Sequence, residues 1–405
     1  MRIAFVVPSF PNVSETFIYS QIVELITRGH EVEIFAFRKN KTIVNHEMIY
    51  NYNLLDKCNY YPKYTFKRLF FEIRFYLKTI VLKKKSKSKL DWLHLVDYFK
   101  FVEAKKWFKN RPEFDIIHVH FGIVSLPIVK AILKRDIVNS KLVVTFHGND
   151  LDPSRLNSFK EIYHDLFSQA NSFTVNTPYL SGILSSICNF KNKIHLLPVG
   201  LDTNKFNNSS GHSMRGADET FCILFCGRLI KWKGPDIAIR IIDYLVKEKG
   251  IHNIELKIIG SGPMKEDLEK LINKLELQRN VFLPGEKSQE ELIIEMSKSH
   301  LFILPGIHDP ITNRAETQGL VVQEAQSMGL PVLGSDAGGI KYGLLDGESG
   351  FVVRQNDIHG FADKIEYLIK NELIRQKLGE AGRVFVKNNY DIKLLVDRLE
   401  GIYKY

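Results

Sequence analysis

The sequence is poor in cysteine and has no long apolar run, and both absences exclude whole classes of protein. Four cysteines among 405 residues are too few for a disulfide-stapled secreted fold. Cys222 and Cys226 share one short apolar run, but residues four apart on a strand are about 13 Å apart, too far for a disulfide or a shared metal ion. No apolar stretch approaches the roughly 18 residues that span a bilayer. The cytoplasm is therefore the expected compartment.

Short apolar runs alternate with segments of helical spacing along the whole chain. The runs are nearly continuous in hydrophobicity, which is typical of parallel strands covered on both faces. The first run is too short for the core of a signal peptide. The alternation predicts an α/β fold of two doubly wound, Rossmann-like domains that face each other across a cleft. Six strands are predicted in each domain: Arg2–Pro8, Glu31–Phe37, Asp115–His120, Lys141–Phe146, Ser172–Asn176 and Lys193–Pro198, then Phe221–Gly227, Glu255–Gly260, Asn280–Pro284, Leu301–Pro305, Pro331–Ser335 and Gly350–Val353.

A polar stretch rich in small residues, Val199–Gly211, separates the two series and is interpreted as an interdomain linker. The predicted domains are residues 1–200 and 201–388. Residues 389–405 are predicted to form a C-terminal helix, capped by Asp391, that packs back toward the first domain. Because doubly wound sheets bind ligands at the carboxyl ends of their strands, the cleft is the expected site.

Cationic residues follow the first strand of the second domain, at the expected edge of the cleft. Gly227 permits a tight turn there, and Arg228 and Lys233 come within the next six residues. Two cations in this position suit a diphosphate whose negative charge grows as a bond breaks, although a solvated basic loop is the alternative. A further turn with Gly260 and Gly262 lacks the third glycine of the dinucleotide fingerprint, which argues against an NAD enzyme.

Two glutamates flank the start of a predicted helix later in the same domain. Glu316 lies in a loop, Gly319 and Leu320 open the helix, and Glu324 lies within it. The free N–H groups and the dipole of a helix N-terminus form an anion site. We predict that Glu324 binds a ribose diol and Glu316 binds sugar hydroxyls. A glycosidase acid and nucleophile would be the alternative for two carboxylates, but it leaves the two cations unexplained.

These motifs resemble, in order and spacing, those of the retaining, nucleotide-sugar-dependent glycosyltransferases of family 4 (glycosyltransferase group 1), which have the GT-B fold. The Glu-x7-Glu motif corresponds to Glu316 and Glu324, and the Gly-Arg…Lys-Gly motif to residues 227–234. The Gly-x-Gly-Pro turn and two later glycine motifs correspond to residues 260–263, 337–339 and 346–350. The resemblance implies an N-terminal acceptor domain and a C-terminal donor domain. It also implies a nucleoside diphosphate sugar as donor substrate, no cofactor and no metal.

The first domain contains candidates for the catalytic and acceptor sides of the cleft. His147, followed by a glycine at the end of a strand, matches the cleft histidine of the family, and is expected to be catalytic with Glu316, Arg228 and Lys233. The segment around residue 15 resembles the Ser-Glu-Thr-Phe-Ile variant of exopolysaccharide transferases, although helix capping would also explain its hydroxyls. The candidates for acceptor or phosphate contact are Ser14, Glu15, Thr16, His120 and Asp150.

Asp150 and Asp152 also form an Asp-x-Asp motif, the signature by which transferases of another fold bind a metal ion. The sequence disfavours that interpretation, because the aspartates lie in the wrong domain order for that fold. Arg228 and Lys233 already supply the positive charge that a metal would provide.

Positive charge is concentrated in one segment of the first domain. Residues 63–89 contain ten basic residues and one acid, so they carry +9 of the net charge of +10. Phenylalanines and leucines recur among them at helical spacing. A cationic amphipathic helix of this kind suits an anionic membrane surface, and a solvated helix on the first-domain core is the alternative.

The sequence therefore predicts a glycosyltransferase that acts on a glycan or lipid-linked glycan acceptor in surface polysaccharide assembly. It is expected to be cytoplasmic and peripheral on the inner face of the plasma membrane, and to bind no nucleic acid. Two other functions stay open: a nucleotide-sugar epimerase with the same fold, and a basic nucleic-acid-binding protein.

Overall fold

The computed structural model describes residues 1–12, 15–40, 47–60, 104, 106–109, 111–207 and 220–405. Within these residues the strands form two separate sheets, and every strand pair is parallel. The first sheet contains β1 (Arg2–Val7), β2 (Glu31–Ala36), β3 (Cys58–Tyr60), β4 (Ile116–His120), β5 (Lys141–Phe146), β6 (Ser172–Val175) and β7 (Ile194–Leu196). The second contains β8 (Phe221–Cys226), β9 (Ile254–Ile259), β10 (Val281–Gly285), β11 (Leu301–Leu304), β12 (Val332–Ser335) and β13 (Gly350–Val353).

Both sheets have the strand order of a doubly wound fold. The first runs β3-β2-β1-β4-β5-β6-β7 and the second runs β10-β9-β8-β11-β12-β13. In each sheet the order reverses beside the first strand, and the crevice at this switch point is where such sheets bind ligands. The predicted α/β fold with two Rossmann-like sheets is confirmed.

One strand of the first sheet was not predicted. β3 pairs with β2 in parallel, with Ile34 opposite Cys58 and Ala36 opposite Tyr60. It is three residues long, half-buried and part polar. Since it forms the edge of the sheet, it lacks the continuous apolar run by which the other strands were recognised.

Helices connect the strands and cover the sheets. In the first domain they are α1 (Thr16–Thr27), α2 (Glu47–Asn51), α3 (Gly122–Leu133), α4 (Leu156–Ile162), α5 (His164–Gln169) and α6 (Pro178–Ile187). In the second they are α7 (Pro235–Lys247), α8 (Lys265–Lys274), α9 (Gln289–Ser297), α10 (Leu320–Ser327), α11 (Ile358–Lys370) and α12 (Glu372–Tyr390), and the chain ends in α13 (Ile392–Lys404). No helix of the described residues is long and apolar enough to cross a membrane. Residues 63–89 lie outside the described part of the chain.

The last helix belongs to the core of the first domain. Asp391 caps α13 by accepting the Lys393 N–H at 2.9 Å. Leu395, Val396, Leu399 and Tyr403 of α13 pack in one apolar cluster with residues of β1, β2 and α1. Outside this cluster, His30 contacts Glu400 at 2.7 Å. The chain therefore leaves the first domain, builds the second, and returns.

Candidate functional site

A cavity of about 470 Å³ lies between the two sheets, at the carboxyl ends of their strands. The loops after β4 and β5 form one wall, and the loops after β8 and β11 with the start of α10 form the other. Most of the site residues predicted from the sequence line this cavity. Those lining the cavity are Glu15, His147, Gly227, Arg228, Lys233, Glu316, Gly319, Leu320 and Glu324.

The centre of the second-domain wall is an ion pair between Lys233 and Glu316. The Lys233 Nζ lies 2.6 Å from Glu316 Oε2, and both side chains are largely buried. Glu316 Oε1 accepts the Thr317 N–H at 3.1 Å. Burial tends to raise the pKa of the Glu316 carboxyl, but the Lys233 charge and hydrogen bonds from backbone amides outweigh it, so the pKa is lowered. Glu316 is therefore a fixed carboxylate that faces the cavity.

Arg228 provides a second cation beside this pair. It is exposed to the cavity, and its guanidinium has no hydrogen-bond or ion-pair partner among the residues that the structure describes. Lys231, in the same loop, is instead paired with Asp236 at 2.6 Å. Arg228 and Lys233 are thus the two cations of this loop that line the cavity.

Gly260 and Gly262 do not line the cavity, although they were predicted to bind the donor. A Cβ on Gly260 would lie 2.0 Å from the carbonyl oxygen of Gly227, and a Cβ on Gly262 would lie 2.5 Å from that of Leu229. The two glycines let their turn pack directly against the loop that carries Arg228. Their contribution to the site is the position of that loop.

Glu324 lies on α10, one turn into a helix whose N-terminus faces the cavity. The first hydrogen bond of this turn runs from the Val322 N–H to the Gly319 carbonyl at 2.8 Å. The preceding amides of Leu320 and Val321 have no partner within the helix and no hydrogen bond to other described residues, so they can bind an anion. Burial raises the pKa of the Glu324 carboxyl to about 7, against the opposing charges of Lys233 and Lys205. Glu324 thus titrates near neutral pH.

Three histidines form a row that leads from the first-domain core to the cavity. His118 and His120 stack at 4.5 Å between ring centroids, and His120 and His147 at 5.3 Å. His120 Nδ1 lies 3.0 Å from His147 Nε2, and His118 hydrogen-bonds to Tyr403 at 2.7 Å. Burial lowers the pKa of His147 to about 3. His147 therefore meets the cavity as a neutral imidazole, while His120, only 2% exposed, lies behind it.

Asp150 and Asp152 are both engaged by groups of the protein. The Asp150 carboxylate accepts the N–H groups of Gly122 at 2.8 Å, His147 at 3.0 Å and Gly148 at 2.9 Å. Asp152 accepts from Arg314 Nε at 2.9 Å across the cleft. Asp150 therefore fixes the loop of His147 and does not line the cavity. Neither carboxylate is free in the manner of an Asp-x-Asp metal motif.

The predicted residues before α1 lie at different places. Glu15 lines the cavity, and burial raises its pKa to about 7 despite a hydrogen bond with Asn12. Thr16 is the first residue of α1 and not its cap, and it lies in a small pocket that also contains Glu324. Ser14 lies outside the described residues.

Several residues that line the cavity were not predicted from the sequence. Trp232 and Arg314 are in its wall, and the Arg314 guanidinium lies 5.9 Å from the centre of the Trp232 ring. Thr317 lines it as well and contacts the first domain. All three are one or two positions from Lys233 or Glu316, and that proximity was the only available signal.

Comparison with known proteins identifies related sequences and folds. The model of "Glycosyl transferases group 1" matches residues 214–385, and that of "Glycosyltransferase Family 4" matches residues 14–205. A putative colanic acid biosynthesis glycosyltransferase, WcaL of Salmonella typhimurium, is 25% identical over 90% of each chain. The amylovoran biosynthesis glycosyltransferase AmsK of Erwinia amylovora is 26% identical over 99% of each.

Solved structures of similar fold extend over the whole chain. Anabaena Alr3699/HepE, determined in complex with UDP, has a TM-score of 0.71 at 15% identity and matches over 99% of both chains. A glycosyltransferase from Rickettsia africae has a TM-score of 0.73 at 19% identity, over 100% of this chain and 98% of its own. These likenesses confirm the two-domain GT-B fold. With both family models matching in succession, the chain belongs to the group 1 glycosyltransferases of family 4.

Proposed function

We propose that this glycosyltransferase moves a sugar, with retention of configuration, from a nucleoside diphosphate sugar to a glycan or lipid-linked glycan in surface polysaccharide assembly. The observation that carries the proposal is the Lys233–Glu316 pair, placed beside the open N-terminus of α10 and across the cavity from His147. Relatives named for colanic acid and amylovoran biosynthesis support the acceptor class. A neighbour solved with UDP-glucose supports the donor class.

The donor would lie along the second-domain wall of the cavity. Its diphosphate would contact Arg228, Lys233 and the free amides at the start of α10, which together supply positive charge without a metal ion. Its ribose would reach Glu324, and its sugar would reach Glu316. The two carboxylates thus hold the uncharged parts of the donor at either side of the phosphates.

Transfer breaks the bond between the anomeric carbon and the diphosphate oxygen, and the electron pair stays with the diphosphate. The acceptor oxygen bonds to the same carbon and must release its proton. His147, with a pKa of about 3, and Glu316, with a lowered pKa, are weak bases. The leaving phosphate oxygen is the stronger base and would take this proton. Because that oxygen lies on the face the diphosphate leaves, the acceptor would enter on the same face, which supports retention.

Nucleotide binding tests the donor site directly. UDP or GDP at about 100 times its Kd is expected to stabilise the wild type by roughly 2.7 kcal/mol, measured as a thermal shift. Glu324→Gln is expected to weaken binding and to reduce the preference for UDP over 2′-deoxy-UDP, or for GDP over 2′-deoxy-GDP, because the charged acceptor of the ribose hydroxyls is gone. If neither nucleotide shifts the wild type, the proposed function fails.

The same experiment has a pH dependence. Since the Glu324 pKa is raised to about 7, the carboxyl is protonated below this pH and ionised above it. Affinity for the nucleotide is expected to rise as the pH increases through 7 in the wild type. The corresponding rise is expected to be smaller in Glu324→Gln, which also controls for titration of the phosphate itself. If affinity depends on pH equally in the wild type and in Glu324→Gln, Glu324 does not bind the ribose as proposed.

Residues 63–89 are proposed to attach the protein to an anionic membrane. Each Lys or Arg near such a surface contributes about 1 kcal/mol. The protein is therefore expected to sediment with anionic liposomes at low salt and to be released as salt rises. Changing Lys83, Lys84, Lys85 and Lys87 to glutamine should reduce sedimentation. A matched control changes four exposed lysines of the second domain, Lys247, Lys265, Lys270 and Lys274, to glutamine. Equal loss in both variants would contradict a specific membrane segment.

A further inference from the structure

Thr317 belongs to the second domain but is held across the cleft by the first. Its Oγ1 donates to the backbone carbonyl of His147 at 3.1 Å and accepts from Asn176 Nδ2 at 3.3 Å. Its own carbonyl accepts from Thr177 Oγ1 at 2.7 Å. The three partners all follow the carboxyl ends of β5 and β6. Thr317 therefore makes three hydrogen bonds between the two domains, in addition to the one from Arg314 to Asp152.

The packing around Thr317 is tight on two sides. A Cβ on Gly148 would lie 2.4 Å from Thr317 Cγ2, and a Cβ on Gly339 would lie 1.8 Å from the Thr317 carbonyl oxygen. The methyl group thus contacts the backbone of the first domain, while the carbonyl rests on a glycine turn of the second. In this structure, the position of Thr317 is therefore fixed by contacts with both domains.

Thr317 also orients the Glu316 carboxylate. Its N–H donates to Glu316 Oε1 at 3.1 Å, while Lys233 holds Oε2 at 2.6 Å. One carboxylate oxygen is therefore held from within the second domain. The other is held by an amide whose own residue is fixed by contacts with the first domain. Separating the domains would release Thr317 and, with it, the second of these two constraints.

We propose that Thr317 is a positioning residue whose hydroxyl helps to hold the cleft closed, so that the orientation of Glu316 depends on closure. The inference rests on the proposed function, in which Glu316 binds the transferred sugar. With the cleft closed, the hydroxyl of Thr317 holds its amide in line with the carboxylate. With the cleft open, three cross-domain hydrogen bonds are lost and the carboxylate is no longer set for the sugar. Nucleotide binding, which uses Arg228 and Glu324 of the second domain, does not need this contact.

Two substitutions separate the hydroxyl from the methyl group. Thr317→Val keeps the branched shape and removes the hydroxyl, while Thr317→Ser keeps the hydroxyl and removes the methyl. A control in the same loop is Thr312→Val, because the Thr312 hydroxyl donates to Asp309 at 3.0 Å and has no hydrogen bond to the described residues of the first domain. Thr317→Val is expected to lose cleft closure and turnover, and Thr317→Ser is expected to behave as the wild type.

Two measurements test the proposal. In small-angle X-ray scattering without nucleotide, Thr317→Val is expected to have a larger radius of gyration than the wild type. Its turnover of UDP-glucose or GDP-mannose, whichever the wild type uses, is expected to fall on the order of tenfold to a hundredfold, with the Kd for UDP or GDP changed by less than about twofold. Thr317→Ser and Thr312→Val should match the wild type in every measurement.

Several results would overturn the inference. If Thr317→Val scatters as the wild type does, the hydroxyl does not hold the cleft closed. If Thr317→Ser loses turnover and cleft closure as Thr317→Val does, the methyl group and not the hydroxyl holds the cleft. If nucleotide affinity falls together with turnover, Thr317 acts on the donor site as a whole. Should the wild type bind neither UDP nor GDP, the proposed function fails, and the scattering result alone decides whether Thr317 controls closure.

Discussion

Replacing Lys233 with alanine is expected to lower kcat by on the order of 100-fold or more. Negative charge builds up on the leaving diphosphate in the transition state, and a cation already in position stabilises that charge more than it stabilises the ground state. Lys233 also balances the buried Glu316 carboxylate, from which its Nζ lies 2.6 Å. Its loss therefore removes two favourable interactions at the reacting bond.

The neighbouring Lys231 provides the control for this prediction. It lies in the same loop but is paired with Asp236, so Lys231→Ala is expected to leave kcat close to the wild-type value. Release of the nucleoside diphosphate measures turnover for all three proteins, with and without a chelator. Wild-type activity that disappears with the chelator would contradict a diphosphate site built from Arg228 and Lys233 without a metal ion.

Replacing Glu316 with glutamine is expected to have the next largest effect. A hydrogen bond to a charged group contributes about 1.5–3 kcal/mol, so loss of the charge at the transferred sugar should lower kcat by about 10- to 100-fold. Affinity for the free nucleotide should stay near the wild-type value, because that ligand carries no sugar. Turnover and nucleotide titration are measured together, and Glu348→Gln, at an exposed position of the same domain, controls for loss of one negative charge.

Normal turnover in Glu316→Gln would contradict the proposed role of Glu316 at the transferred sugar. A variant that loses nucleotide affinity would instead place Glu316 at the diphosphate or ribose. The contrast with Glu324→Gln, which is expected to lose nucleotide affinity, makes the two glutamates distinguishable even before the acceptor is known.

The fold could be predicted because its strands are buried on both faces. Continuous apolar runs such as Phe221–Cys226 and Leu301–Leu304 are typical of strands whose sheet is covered by helices on both faces. β3 was not predicted because Cys58–Tyr60, at the edge of the sheet, contains no such run.

The site could be predicted in part, for a related reason. Parallel strands end at one edge, so motifs that follow strands, such as those of Arg228 and Glu316, were expected to meet there. Whether a glycine contacts a ligand or supports a neighbouring loop depends on three-dimensional packing, so the sequence alone does not separate these two roles for Gly260 and Gly262. The cross-domain contacts of Thr317 depend on how two separately wound sheets face each other, and no local pattern encodes that arrangement.

The return of α13 to the first domain has a consequence for how the chain folds during synthesis. The first domain cannot complete its core until residues 392–404 have been made, whereas the strands and helices of the second domain, from residue 221 to residue 390, are all made before them. Domains that are continuous in sequence commonly fold as units while the chain is still being made. The usual order of folding, N-terminal domain first, is therefore reversed. We expect the C-terminal domain to reach its final packing first and the N-terminal domain last.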